Sequence, residues 1–112
     1  MDSIQSPHVS VHFDTANIAM FQHAEHWMPI LGKRIQNVHL KEFNRRGTDY
    51  SLKAFRPLLD GTTNRAAVMD GFEATGYRGY LTFEYSHSYA DCPEALIYET
   101  AGSLDRIPGL KP

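Results

Sequence analysis

Ile35-Gln36-Asn37-Val38-His39-Leu40 reads as a β-strand with two unlike faces. Successive side chains on a strand point to opposite sides, so Val38 and Leu40 share one face and Asn37 and His39 the other. The same division appears twice more. A strand predicted over about residues 8–13 sets Val9, Val11 and Phe13 against His8, Ser10 and His12, with Asp14 following on the polar side. A strand predicted over about residues 80–84 sets Leu81 and Phe83 against Thr82 and Glu84. Each strand has an apolar face suited to packing on helices. Each polar face carries, at or near its C-terminal end, one side chain able to bind a metal ion: Asp14, His39 or Glu84.

Helical segments separate these strands. Glu25, Trp27, Ile30 and Leu31 mark a helix over roughly 23–32; Pro29 keeps it short or kinked and Gly32 stops it. The second strand leads into a polar loop, Asn44-Arg45-Arg46-Gly47-Thr48-Asp49-Tyr50, which Phe55 and Leu58-Leu59 are expected to cover as a turn of helix. Thr63 or Asn64 caps the next helix, which buries Val68, Met69 and Phe72 and runs to about Thr75 before Gly76 ends it. The last helix is predicted to start at Pro93, to bury Leu96, Ile97, Ala101 and Leu104, and to end at Pro108-Gly109.

Strand–helix alternation implies an α/β fold with parallel strands. A doubly wound sheet would favour strands apolar on both faces, and an antiparallel sheet would use hairpins shorter than these connections. A barrel whose interior opens into a hydrated site accommodates the polar faces. In a parallel (β/α)8 barrel the strand C-termini share one rim, and that rim carries the chemistry.

The chain has 112 residues, whereas a closed barrel of this kind takes about 250 and rarely fewer than about 200. The expected fold is therefore a partial TIM barrel, with parallel strands inside and helices on the outer face. A net charge of −2 gives no basis for nucleic acid or an acidic membrane surface as partner. No apolar run approaches the ~18 residues of a membrane span, and the first residues lack the pattern of a signal peptide. Cys92 is the single cysteine, which excludes an internal disulfide and is compatible with a reducing, cytoplasmic location. Lying just before Pro93 with no nucleophile motif around it, Cys92 reads as a residue at a helix start.

Two carboxylates and an imidazole suit a borderline-hard divalent ion: Mn2+, Co2+, Zn2+ or Mg2+. An open coordination position on such an ion can take adjacent sugar oxygens and stabilise the enediolate formed when a proton leaves the carbon beside a carbonyl. Glu84 is placed to serve as both ligand and general base. The structural alternative is that each is an ordinary hydrogen-bonded polar group.

Phe13-Asp14-Thr15-Ala16-Asn17, Gly32-Lys33-Arg34-Ile35-Gln36-Asn37-Val38-His39-Leu40-Lys41-Glu42 and Gly76-Tyr77-Arg78-Gly79-Tyr80-Leu81-Thr82-Phe83-Glu84 follow one another at a telling spacing. Together they resemble the C-terminal part of the sugar-phosphate isomerase/epimerase family, the xylose isomerase-like TIM barrels. Ketose 3-epimerases, L-xylulose-5-phosphate 3-epimerases and hydroxypyruvate isomerases belong to it. The resemblance spans nearly the whole chain, residues 1–112 being the last three strand–helix units of an incomplete barrel. It implies a metal held by Glu, Asp, His and Glu from successive strands, the last three matching Asp14, His39 and Glu84. Glu84 would also be one of two catalytic carboxylates. The first Glu would lie upstream of Met1. Asn17 and Arg45 stand where relatives often bind substrate. The chain departs from the family at Gly61-Thr62-Thr63-Asn64-Arg65, where relatives commonly read Gly-Asp-Val-Asp-Trp, and at Glu42, where many carry Asp.

Other residues have two readings each. Lys41 can meet a developing oxyanion or pair with Glu42 or Glu84. Arg45 and Arg46, after strand two, suit a phosphate or form a solvated basic loop. Lys33 and Arg34 precede that strand and read as helix C-terminal charges. His12 reads as an interior, hydrogen-bonded histidine; His23 and His26 as surface residues; Trp27 as helix packing. Phe55 can wall a sugar pocket, and His87 reads as a loop residue rather than an accessory ligand.

Two functional readings follow. One is a metal-dependent isomerase or epimerase of a sugar or sugar phosphate, inactive as this chain alone. The other is a non-catalytic barrel fragment that self-associates or docks on a partner, since open sheet edges recruit other chains. In both, the expected partner is a second copy or the missing barrel half. Phosphodiester hydrolysis of the endonuclease IV type would need more histidine ligands at other spacings.

Overall fold

The computed structural model describes residues 3–85 and 89–107. His87 and the predicted stop at Pro108-Gly109 lie outside them. Three parallel strands form the central sheet in the order β1 (Val11–Asp14), β2 (Ile35–Leu40), β5 (Leu81–Phe83). The helices α1 (Ala24–Leu31), α2 (Arg65–Thr75) and α3 (Ala95–Leu104) follow β1, β2 and β5 respectively. A short antiparallel ribbon, β3 (Glu42–Phe43) with β4 (Phe55–Arg56), interrupts the path from β2 to α2.

Within the strands the apolar faces behave as their alternation dictates, but Val9, predicted to share the apolar face of β1, lies ahead of the strand and is exposed. Phe13, Val38 and Leu40 are buried with Ile35, Met28 of α1, and Val68 and Phe72 of α2 in one core, against which Leu81 and Phe83 pack. His12, Asn37 and Thr82 lie exposed on the other face. Helices α1 and α2 touch closely: a Cβ built on Gly71 would fall 2.6 Å from Met28 Sδ. A smaller apolar cluster, Ala16, Ala19, Phe43 and Ala54, lies under the ribbon.

Several boundaries shift for identifiable reasons. Strand β1 starts at Val11 rather than near residue 8, because the amides of His8 and Val9 are used in a turn on Ser6 Oγ and Ser6 O. The expected helical turn at Phe55 and Leu58-Leu59 is replaced by a 3-10 turn at Leu52–Ala54, capped by the Ser51 hydroxyl; Phe55 then enters the ribbon, and Leu59 takes φ 70°. Helix α3 starts two residues after Pro93, behind a turn at Cys92 with φ 56°. Its inward side is Leu96, Thr100 and Leu104, continued by buried Ile107, while Ile97 is 70% exposed. Helix α2 is capped by Asn64 Oδ1, which accepts from Ala67 N, and Gly76 ends it at φ 71° as predicted.

Candidate metal centre

The two parallel ladders bring the three predicted ligands to one rim. Asp14 is paired with His39 across β1 and β2, and His39 with Thr82 across β2 and β5. Glu84 follows two residues later, its N–H donating to Leu40 O at 3.1 Å. One ligand atom from each of Asp14, His39 and Glu84 lies within 4.8 Å of the others, and among the described residues this is the group of three able to share a metal. With bonds of about 2.0–2.2 Å, donors on one ion sit about 3–4.4 Å apart, so the cluster needs only a small contraction.

Each side chain is held differently. Asp14 Oδ1 accepts from the N–H groups of Ala16 and Asn17, both at 2.8 Å. Asp14 Oδ2 is buried and has no hydrogen-bond partner. A buried carboxylate oxygen without a partner is costly unless a cation completes it. His39 Nδ1 lies 2.8 Å from Glu84 Oε2, and its ring meets the edge of the His12 ring at 4.1 Å. His12 in turn hydrogen-bonds Asn37 Nδ2 at 3.0 Å through Nδ1. It thus keeps the hydrogen bond expected of it, but on the open inner face of the sheet.

Lys41 sits among these groups. Its side chain is 7% exposed, and Nζ lies 3.2 Å from Glu84 Oε1 and 4.0 Å from Asp14 Oδ2. It donates to Asn17 Oδ1 at 3.2 Å and lies 4.5 Å from the centre of the Phe55 ring. Of its two expected partners, Lys41 therefore meets Glu84. The hydrogen bond from His39, followed by the contacts with Lys41, holds the Glu84 carboxyl below its ordinary range. Glu84 stays ionised at neutral pH, as a metal ligand requires.

Glu42 pairs with Arg65 instead, and sequence reasoning missed this pair. The Glu42 carboxylate is buried; Oε1 accepts from the N–H groups of Phe43 and Thr63, and Oε2 from Arg65 Nη2 at 3.1 Å. Arg65 also donates to Lys41 O at 3.1 Å and Thr15 Oγ1 at 3.4 Å. Thr15 Oγ1 donates to Lys41 O and accepts from Lys41 N. The ion pair thus fixes the backbone from which Lys41 projects. Gly61 makes room for it, because a Cβ there would lie 2.4 Å from Glu42. The available signal was that Glu42 and Arg65 stand where the family resemblance leads one to expect Asp and an aromatic residue.

Arg45 is not brought to the three ligands. Its Nη1 donates to Gln22 O at 3.3 Å and meets the His23 ring at the start of α1. Lys33 and Arg34 fall at the opposite end of β2, where Arg34 donates to Ile30 O and Leu31 O, as expected for helix C-terminal charges. Trp27 packs against the core and its Nε1–H donates to Gln22 Oε1.

A parallel sheet backed by helices, with a His/carboxylate cluster at its C-terminal rim, is the arrangement of a segment of a TIM barrel. The chain belongs to the xylose isomerase-like TIM barrel family, whose profile matches residues 1–107. It is similar in structure to a xylose isomerase domain protein from Planctomyces limnophilus, with a TM-score of 0.75 and 20% sequence identity over 97% of this chain. The chain spans 40% of that protein's length, so it forms a partial barrel. Curated proteins give no match.

Two measurements follow from this geometry. Calorimetric titration with Mn2+ or Co2+ is expected to show weak binding to the wild type and still weaker or no binding to His39→Ala; equal curves would exclude a site centred on His39. Arg65→Met strands the buried Glu42 carboxylate and lowers unfolding stability in urea by about 3–5 kcal/mol; a change within about 0.5 kcal/mol would show that the pair does not hold the rim.

Proposed function

We propose that this chain is the C-terminal part of a divalent-metal-dependent isomerase or epimerase acting on a sugar or sugar phosphate. The observation that carries this reading is the buried Asp14 Oδ2, which has no hydrogen-bond partner and faces the Lys41 ammonium at 4.0 Å, beside the His39 and Glu84 donors. Asp14, His39 and Glu84 would hold Mn2+, Co2+, Zn2+ or Mg2+, with a fourth ligand from strands beyond this chain. A divalent ion bound there supplies Lewis acidity to a substrate carbonyl and its neighbouring hydroxyl.

The chain's own residues then have separate tasks. Glu84 takes the proton from the carbon beside the carbonyl; for epimerisation, a second carboxylate on the missing strands returns a proton to the opposite face. Lys41, held against Asn17 and the Phe55 ring, offers its ammonium to the substrate oxygen on which charge develops. Asn17 orients that ammonium and contacts substrate. Arg45, at the rim next to the start of α1, meets the distal end of the substrate, where a phosphate would be recognised. This reading goes with a cytoplasmic location. Among the described residues no helix is long and apolar enough to cross a membrane.

A second reading rests on the open sheet. β1 and β5 are its edges, and the chain covers 40% of its structural neighbour. A chain that only self-associates, or docks on the rest of a barrel, would use these edges and leave the site idle.

An epimerisation assay with a panel of ketoses and ketose phosphates separates the two. The 112-residue chain alone shows no turnover. The same chain joined or mixed with a barrel half that supplies the fourth carboxylate turns over substrate, and Glu84→Gln abolishes that activity. Turnover that survives Glu84→Gln would contradict the assignment of the base, and a completed barrel with no turnover would favour the non-catalytic reading.

A further inference from the structure

We infer that Lys41 is an internal counter-ion that competes with the metal for the same two carboxylates. The inference rests on the metal-site reading above and adds a regulatory element to it. The Lys41 ammonium is buried and close to oxygen atoms at the C-terminal ends of two different strands, β1 and β5: Glu84 Oε1 at 3.2 Å, Asn17 Oδ1 at 3.2 Å and Asp14 Oδ2 at 4.0 Å. Two of these three belong to the proposed ligands. Without a cation, Asp14 and Glu84 would place two negative charges together at a partly buried rim, which is unfavourable. Lys41 offsets that repulsion and keeps the ligands assembled before the metal arrives.

The same charge opposes metal entry. A divalent ion within bonding reach of Asp14 and Glu84 stands a few ångströms from a fixed positive charge, and in a partly buried setting that repulsion is substantial. Metal binding therefore displaces the ammonium from Glu84 and Asp14. Asn17 Oδ1 and the Phe55 ring remain to hold it, and it is then free to meet an anionic substrate oxygen. The Arg65–Glu42 pair fixes the Lys41 backbone throughout, so the displacement is confined to the flexible four-carbon side chain.

Lys41→Gln keeps a hydrogen-bond donor and removes the charge, whereas Lys41→Arg keeps the charge. Titration of Mn2+ into each folded chain, with folding checked by circular dichroism, should show at least about tenfold tighter binding for Lys41→Gln, and a Kd within about threefold of wild type for Lys41→Arg. Wild-type binding with equal or weaker binding in Lys41→Gln would overturn the competition and leave the metal site standing. No binding in any of the three would overturn both. Should Lys41→Gln not fold, reductive methylation of wild-type Lys41, followed by mass spectrometry, decides. Zn2+ or Mg2+ should increase its labelling several-fold relative to Lys33 and Lys53, and unchanged labelling would overturn the displacement.

Discussion

Two parallel hydrogen-bond ladders hold the candidate metal centre together. Asp14, His39 and Glu84 lie far apart in the chain, and what makes them neighbours is the pairing of Asp14 with His39 and of His39 with Thr82. Side chains alternate with a period of two, so a one-residue slip of either outer strand would turn its ligand away from the site. The apolar faces prevent that slip. Phe13, Val38 and Leu40 are buried in the core with Met28 of α1 and Val68 and Phe72 of α2 in the observed register, and in that register the polar faces converge.

A second layer supports the rim. Glu42 and Arg65 form a buried ion pair beneath Lys41, and Thr15 links the same backbone to the end of β1. Such a pair gives up solvation and is a weak source of net stability, but removing one partner is expensive. Its value here is geometric, because it fixes where Lys41 begins. Glu42 and Arg65 are therefore physically linked: the carboxylate reaches the guanidinium, and Gly61 leaves space for the contact.

The parts legible in the sequence were those set by local pattern. β2 spans Ile35–Leu40 as its alternation predicts, and α2 has the cap and the glycine stop expected of it. The convergence of Asp14, His39 and Glu84 was legible because strand parity, chain order and the family resemblance all place these side chains on one rim. The parts not legible depend on long-range competition. Ser6 withdraws two amides from β1. The ribbon captures Phe55 before a helix can form. In α3 the polar Thr100 is buried while Ile97 and Ala101 face out, so apolar spacing placed Leu96 and Leu104 on the inward side but misassigned Ile97 and Ala101. The contact of Arg45 with Gln22 O and the His23 ring at the start of α1 is set by tertiary packing across 23 residues of sequence.

X-ray absorption on the Zn2+-loaded chain tests the central claim most directly. The account predicts a first shell with one imidazole nitrogen and two carboxylate oxygens at about 2.0–2.2 Å, with the imidazole scattering lost in His39→Ala. A shell of water oxygens alone, or imidazole scattering that survives the loss of His39, would contradict it.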